Sequence, residues 1–187
     1  MNELSFIREI TEIKDLAPEN FKEIKPEELT SPEEARGYID DLFENIESEK
    51  ILDNYFSDLK ERSDCPETIK DKPFELSDLR KISPEENAEL RSDFSEKKAE
   101  LKNEWEKENG MPWPKYDQDI YSANGKLIRK AGQDYDAHHI QPLGMGGKNE
   151  AGNITPLHAE VHYDKQGIHA PGSPYDDLNQ ILGGMRQ

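Results

Sequence analysis

Cysteine is almost missing from this 187-residue chain. Cys65 stands alone, which excludes an internal disulfide framework and a cysteine-based zinc site. Long apolar runs are missing as well. No stretch approaches the ~20 residues that span a bilayer, and the acidic start Met1-Asn2-Glu3 is not a signal peptide, so a soluble chain is expected. Positive charge is scarce, with 24 Lys and Arg against 41 Asp and Glu. The resulting net charge of -17 counts against a nucleic-acid ligand, because phosphate binding is driven largely by cationic side chains releasing counterions. Hydrophobic residues make up 33% and charged residues 35%, so modest cores and much exposed helix follow. The first 137 residues contain no histidine at all.

What is present is unevenly placed. Residues 1–110 hold 17 Lys/Arg against 32 Asp/Glu, whereas residues 111–187 hold 7 against 9, so the acidity belongs to the N-terminal part. All five histidines, His138, His139, His158, His162 and His169, fall in the nearly neutral C-terminal part. Histidine binds divalent metals and exchanges protons near neutral pH, so this confinement points to a built site. One bound divalent cation would cancel the residual charge around it.

Residues 1–30 mix short apolar clusters with Lys/Glu/Pro stretches and read as loosely structured. At Ser31-Pro32-Glu33-Glu34 a helix start is written: Ser as N-cap, Pro at the first helical position, Glu34 closing a capping box. Tyr38, Leu42 and Ile46 recur at i, i+4, and Leu52, Tyr55, Phe56 and Leu59 carry the pattern into a second helix or an extension, broken at Asp64-Cys65-Pro66. The same start recurs at Ser83-Pro84-Glu85-Glu86, opening a helix that runs to Asn109 and stops at Gly110. Its apolar stripe Leu90, Phe94, Leu101, Trp105 predicts packing along one edge, as core and not as a base-stacking platform.

Beyond Met111 short elements take over. Asn124-Gly125 predicts a hairpin with a two-residue turn. Tyr135 to Leu143 reads as a strand, Gly144 to Asn149 as a glycine-rich loop, Asn153 to Leu157 as a second strand, and His158 to Gln166 as a helix ended by Gly167. The class is α+β: an acidic helical region over 1–80, a long helix and linker over 81–115, and a β-hairpin with a helix over 116–187. Adjacent strand residues face opposite ways, so His138 and His139 cannot do the same work. His158 and His162, at i, i+4, share a helix face. Taken singly, each feature has a plainer reading: chance histidines, a solvated helix face or structural metal clip, glycines of a turn, an Asn that caps.

In this order, His138-His139-Ile140-Gln141-Pro142-Leu143, Gly146-Gly147, Asn153-Ile154-Thr155-Pro156-Leu157 and His162 resemble the ββα-metal core of the HNH and endonuclease VII superfamily. More narrowly, the run is similar to the paired-histidine nuclease domains at the C-termini of bacterial polymorphic toxins, LXG-type and contact-dependent ones included. The resemblance is strongest over 134–170. It implies a metal-dependent endonuclease for DNA, with RNA as the alternative substrate. One divalent ion (Mg, Mn, Ni or Zn) is implied as cofactor, with His138 and His162 as ligands, His139 as general base, and Asn153 bracing the hairpin and helping to orient the base. It also implies synthesis in the bacterial cytoplasm, delivery into target cells, a cognate immunity protein, and a secretion partner or chaperone. The chain departs from the bacteriocin-like pattern at Gln166, where a further helix histidine is expected. His158 and His169 occur instead, leaving His158, His169 and Gln166 as candidates for a third ligand or a phosphate contact. Two protein ligands with several waters suit Mg or Mn; a third imidazole shifts preference to Zn or Ni. A non-catalytic, metal-stapled module whose acidic helices bind a protein partner is the competing reading.

Overall fold

A computed structural model describes residues 32–122, 124–163 and 165–184. The expectations for residues 1–30 and for Ser31 as a helix cap lie outside the described residues. The order is α1 (Pro32–Arg62), α2 (Pro84–Asn109), β1 (Ile120–Tyr121), β2 (Leu127–Arg129), β3 (Asp136–His139), β4 (Ile154–Leu157), α3 (Ala159–Tyr163) and α4 (Pro174–Gly184), joined by short 3-10 turns. The α+β class holds. The chain divides into two units, Met1–Lys50 and Ile51–Gln187. No described helix is long and apolar enough to cross a membrane.

α1 is one unbroken helix, so the apolar group from Leu52 onward is an extension and not a second helix. No Gly or Pro interrupts residues 46–52, and Lys60 and Arg62 in the last turn complement the helix dipole. In the first unit Tyr38 and Leu42 are buried while Phe43 is exposed.

The second unit holds the histidines. Leu52, Tyr55, Phe56 and Leu59 line one face of α1 and enter a core with Phe74, Ile140, Leu157, Ile168 and Leu178. A second core joins Leu101 and Trp105 of α2 to Trp113 and Ile154. Trp105 and Trp113 meet edge to face at 4.9 Å, and the Trp113 indole donates to the Tyr135 carbonyl at 3.1 Å. Lys102, buried beside them, lies over the Trp113 ring and pairs with Asp134 at 3.0 Å. These bonds fix α2 against the chain that enters β3.

α2 starts and stops as its sequence demands. Ser83 accepts from the Glu86 amide at 3.1 Å, and Gly110 takes φ 67°. The Glu86 carboxylate pairs with Arg80 instead of reaching back to the cap.

β1 and β2 pair antiparallel, as do β3 and β4, the latter in the register His138↔Thr155 and His139↔Ile154. The first turn differs from expectation. Ser122 and Lys126 close it, with Gly125 at φ 74° and no positive φ at Asn124, so the connection has three residues and a left-handed glycine. β3 ends at His139, well before Leu143, because Leu143–Met145 is already a 3-10 turn. The glycine-rich loop that follows is packed, not slack: a Cβ on Gly147 would lie 1.9 Å from the Gln141 carbonyl oxygen.

α3 covers only Ala159–Tyr163, short of the expected Gln166. The chain doubles back after it, and the Ile168 amide donates to the Val161 carbonyl at 2.9 Å. α4 has no counterpart among the elements that the sequence pattern predicts. Its signal is Ser173-Pro174-Tyr175-Asp176, in which Asp176 receives the Gly172 amide and the Ser173 hydroxyl accepts from the Asp176 amide.

Candidate active site

β3 exports its two histidines in opposite directions. His138 is buried at 3% exposure, and its ring meets those of His162 and His169 at centroid distances of 5.3 and 5.2 Å. The His162 and His169 rings are 5.2 Å apart, and one nitrogen from each of the three rings lies within 4.8 Å of the others. His138 comes from a strand, His162 from α3, and His169 from the segment that the Val161–Ile168 bond folds back. The third imidazole of the cluster is therefore His169.

His158 goes elsewhere. It precedes α3, its ring sits edge-on against Tyr116 and Tyr135, and its Nδ1 accepts from the Glu160 amide at 3.3 Å. The expected shared face with His162 fails because the helix begins one residue after His158. Gln166 is exposed, and its carbonyl accepts from Arg62 at 3.0 Å; it is no member of the cluster.

Burial disfavours the charged form of each of the three rings. Burial, reinforced by the mutual repulsion of their charged forms, pushes His138 well below its ordinary value, and burial brings His162 down to about 4 and lowers His169. Neutral imidazoles are the form that ligates a cation. The donor set fits one in a second respect: His162 Nδ1 is buried with no hydrogen-bond partner.

Tyr55 of α1 sets the tautomer of His138. Its hydroxyl donates to the Ile140 carbonyl at 2.7 Å, which commits its proton and leaves a lone pair facing His138 Nε2 at 3.4 Å. His138 Nε2 is then the donor and Nδ1 carries the lone pair. Tyr55 lies 83 residues upstream, and nothing in the local sequence marks it for this task.

His139 occupies a different environment. Its ring stands edge-on to Phe94 of α2 at 4.4 Å, and its Nε2 faces the Asn149 side-chain oxygen at 3.0 Å. Burial brings it down to about 4, with Asn149 opposing the shift and the Arg91 charge adding to it. Arg91 also bears on His169 and Tyr175, and among the described residues its guanidinium makes no ion pair. Phe94, read from the sequence as core alone, borders the site.

Asn153 braces the loop. Its amide nitrogen donates to the Gln141 and Lys148 carbonyls, and its oxygen accepts from the Gln141 amide at 2.8 Å. The amide that touches His139 is that of Asn149, not that of Asn153.

Acid is expected to destabilise the metal-free protein. His139 and His162 sit below their unfolded value of ~6.5, so the unfolded chain takes up protons first as pH falls. Their contribution is present above about pH 6.5 and is lost as pH drops toward 4. Each is worth on the order of 1–2 kcal/mol after discounting for partial exposure. Urea midpoints of EDTA-treated protein at pH 7 and 4.5 check it; equal midpoints would contradict neutral burial of these rings.

Fold and site together define a small α+β protein in which strand-borne and helix-borne imidazoles converge on one point beside a separately held histidine. No family model matches the chain. It is similar to "Toxin YxiD" of Bacillus subtilis (strain 168), with 30% identity over 143 residues that cover 73% of this chain and 25% of that protein. The chain thus spans about a quarter of the length of the curated relative it matches.

Proposed function

We propose that this chain is a metal-dependent endonuclease that hydrolyses phosphodiester bonds of DNA, with RNA as the alternative substrate, and that it acts as an antibacterial toxin effector. The observation that carries the reading is the division of labour within β3: His138 enters a three-imidazole cluster, while the adjacent His139 is held outside it on an amide. A structural clip has no use for the second histidine; phosphodiester hydrolysis needs both a cation site and a base.

His138, His162 and His169 would hold one divalent ion, and three imidazoles favour Zn or Ni over Mg. Such an ion supplies charge against the phosphate oxygens as negative charge builds on them. His139, neutral at pH 7, accepts the proton of the attacking water on the ring nitrogen that Asn149 does not hold. Arg91 offers a positive charge beside the same histidines, in a chain whose acidity is otherwise unsuited to a polyanion.

Similarity to a protein named as a toxin supports the effector role and, with it, a cognate immunity protein. The acidic N-terminal part fits a docking element for a secretion partner or chaperone. The test is incubation of the purified chain with plasmid DNA and, separately, total RNA, with Mg, Mn, Ni or Zn and with EDTA. Metal-dependent cleavage of one substrate is expected. Intact substrates under every metal, with metal still bound and raising stability, would instead establish a metal-stapled module.

A further inference from the structure

The helix α2 lies outside the hairpin-and-helix element that carries the histidines, yet it reaches His139 directly through Phe94 and at one remove through Asn149. Asn149 donates through its side-chain nitrogen to the Leu90 carbonyl at 2.9 Å and to an Asp93 carboxylate oxygen at 2.9 Å. Phe94, next in sequence, lies against the His139 ring.

An amide side chain offers two N–H donors and one oxygen acceptor. Both donors of Asn149 are taken by acceptors that cannot donate, so the network itself decides which end of the amide faces His139. It is the oxygen, at 3.0 Å from Nε2. An oxygen acceptor there requires His139 to carry its proton on Nε2, which leaves Nδ1 as the ring's one lone pair. Phe94 restricts the ring plane, while Asn149 restricts rotation within it. We propose that Asp93, acting through Asn149, is a positioning residue that holds His139 as the Nε2–H tautomer with Nδ1 turned to the reacting water, so that α2 is part of the catalytic apparatus.

The inference explains features that packing does not. Asp93 divides its oxygens, one to Lys97 at 2.7 Å and the other to Asn149, so its charge is balanced while one oxygen is kept for the amide. Asn149 sits at the end of the glycine-rich loop, whose close approach at Gly147 and brace at Asn153 hold it at a fixed height over α2. A loop serving only as a turn needs neither. In general, loss of an orienting acceptor lets an imidazole sample the wrong tautomer, and catalysis falls although the base is present.

The catalytic part of this inference rests on the endonuclease reading, so the test separates the two. Long-range 1H–15N correlation spectra of the full chain at pH 7 report the tautomer of each histidine, with His139 assigned by its disappearance in His139→Ala. In the wild type a single Nε2–H form is expected. Asn149→Ala should give mixed tautomers, as should Asp93→Asn to a lesser extent. In cleavage assays both variants should lose roughly 10- to 100-fold in kcat with KM within about twofold. A tautomer unchanged in Asn149→Ala, or an Asp93→Asn protein with the tautomer and kcat of the wild type, overturns the relay. A wild type that holds the tautomer and cuts no nucleic acid overturns the endonuclease reading while the tautomer spectra still decide the relay.

Discussion

His139→Ala is expected to abolish measurable cleavage, by on the order of 10²–10⁴-fold in single-turnover rate, the usual contribution of a positioned proton acceptor. Metal binding should survive unchanged. The reason is geometric: His139 does not belong to the group of three rings whose nitrogens approach within 4.8 Å, and its partners are Asn149 and Phe94. Stability should fall by the lost ring contact and the lost hydrogen bond to Asn149, together on the order of 1–2 kcal/mol. The measurement is cleavage of a labelled duplex beside metal content of the dialysed protein. A His139→Ala protein that still cuts would sink the assignment of this ring as the base; one that loses its metal would move His139 into the cluster.

The predicted elements that held are those whose cause is local. Ser83, Pro84 and Gly110 fix α2 at both ends by capping chemistry alone, and both appear in the structure as the sequence implies. That His138 and His162 come together is what the family resemblance implies; strand alternation by itself says only that His138 and His139 face opposite sides. What sequence could not place depends on contacts made across the chain. The choice between His158 and His169 turns on where α3 stops, and beyond it the Ile168 amide returns to the Val161 carbonyl, a contact made across the turn. Tyr55 and Asp93 act on histidines 83 and, through Asn149, 46 residues away, and a helix face read as core gives no sign that one of its polar neighbours orients a ring. The glycine-rich loop read as a turn for the same reason: Gly147 is required by the approach of Gln141, which only the folded chain brings there.

The second large effect concerns the cluster itself. Titrating zinc into the wild-type chain should raise its melting temperature. A ligand at about 1,000 times its Kd stabilises by ~4 kcal/mol, which for a protein of this size corresponds to roughly 10 °C. His162→Ala should erase the increment, because it removes one of the three converging nitrogens, and its buried Nδ1 has no hydrogen-bond partner to lose. His169→Ala should weaken it by at least tenfold in affinity, and His158→Ala should leave it untouched, since that ring caps α3 among Tyr116 and Tyr135. His138→Ala should do more than remove the ligand: it opens a void beside Tyr55 at a side chain that is only 3% exposed, and so lowers the metal-free stability as well, by about 2–4 kcal/mol. The order of these four variants is what tests the site. If His158→Ala abolished the zinc increment while His169→Ala kept it, the fold-back of Ile168 onto Val161 would not be the conformation that binds metal, and the third ligand would belong to the helix face that the spacing alone suggests.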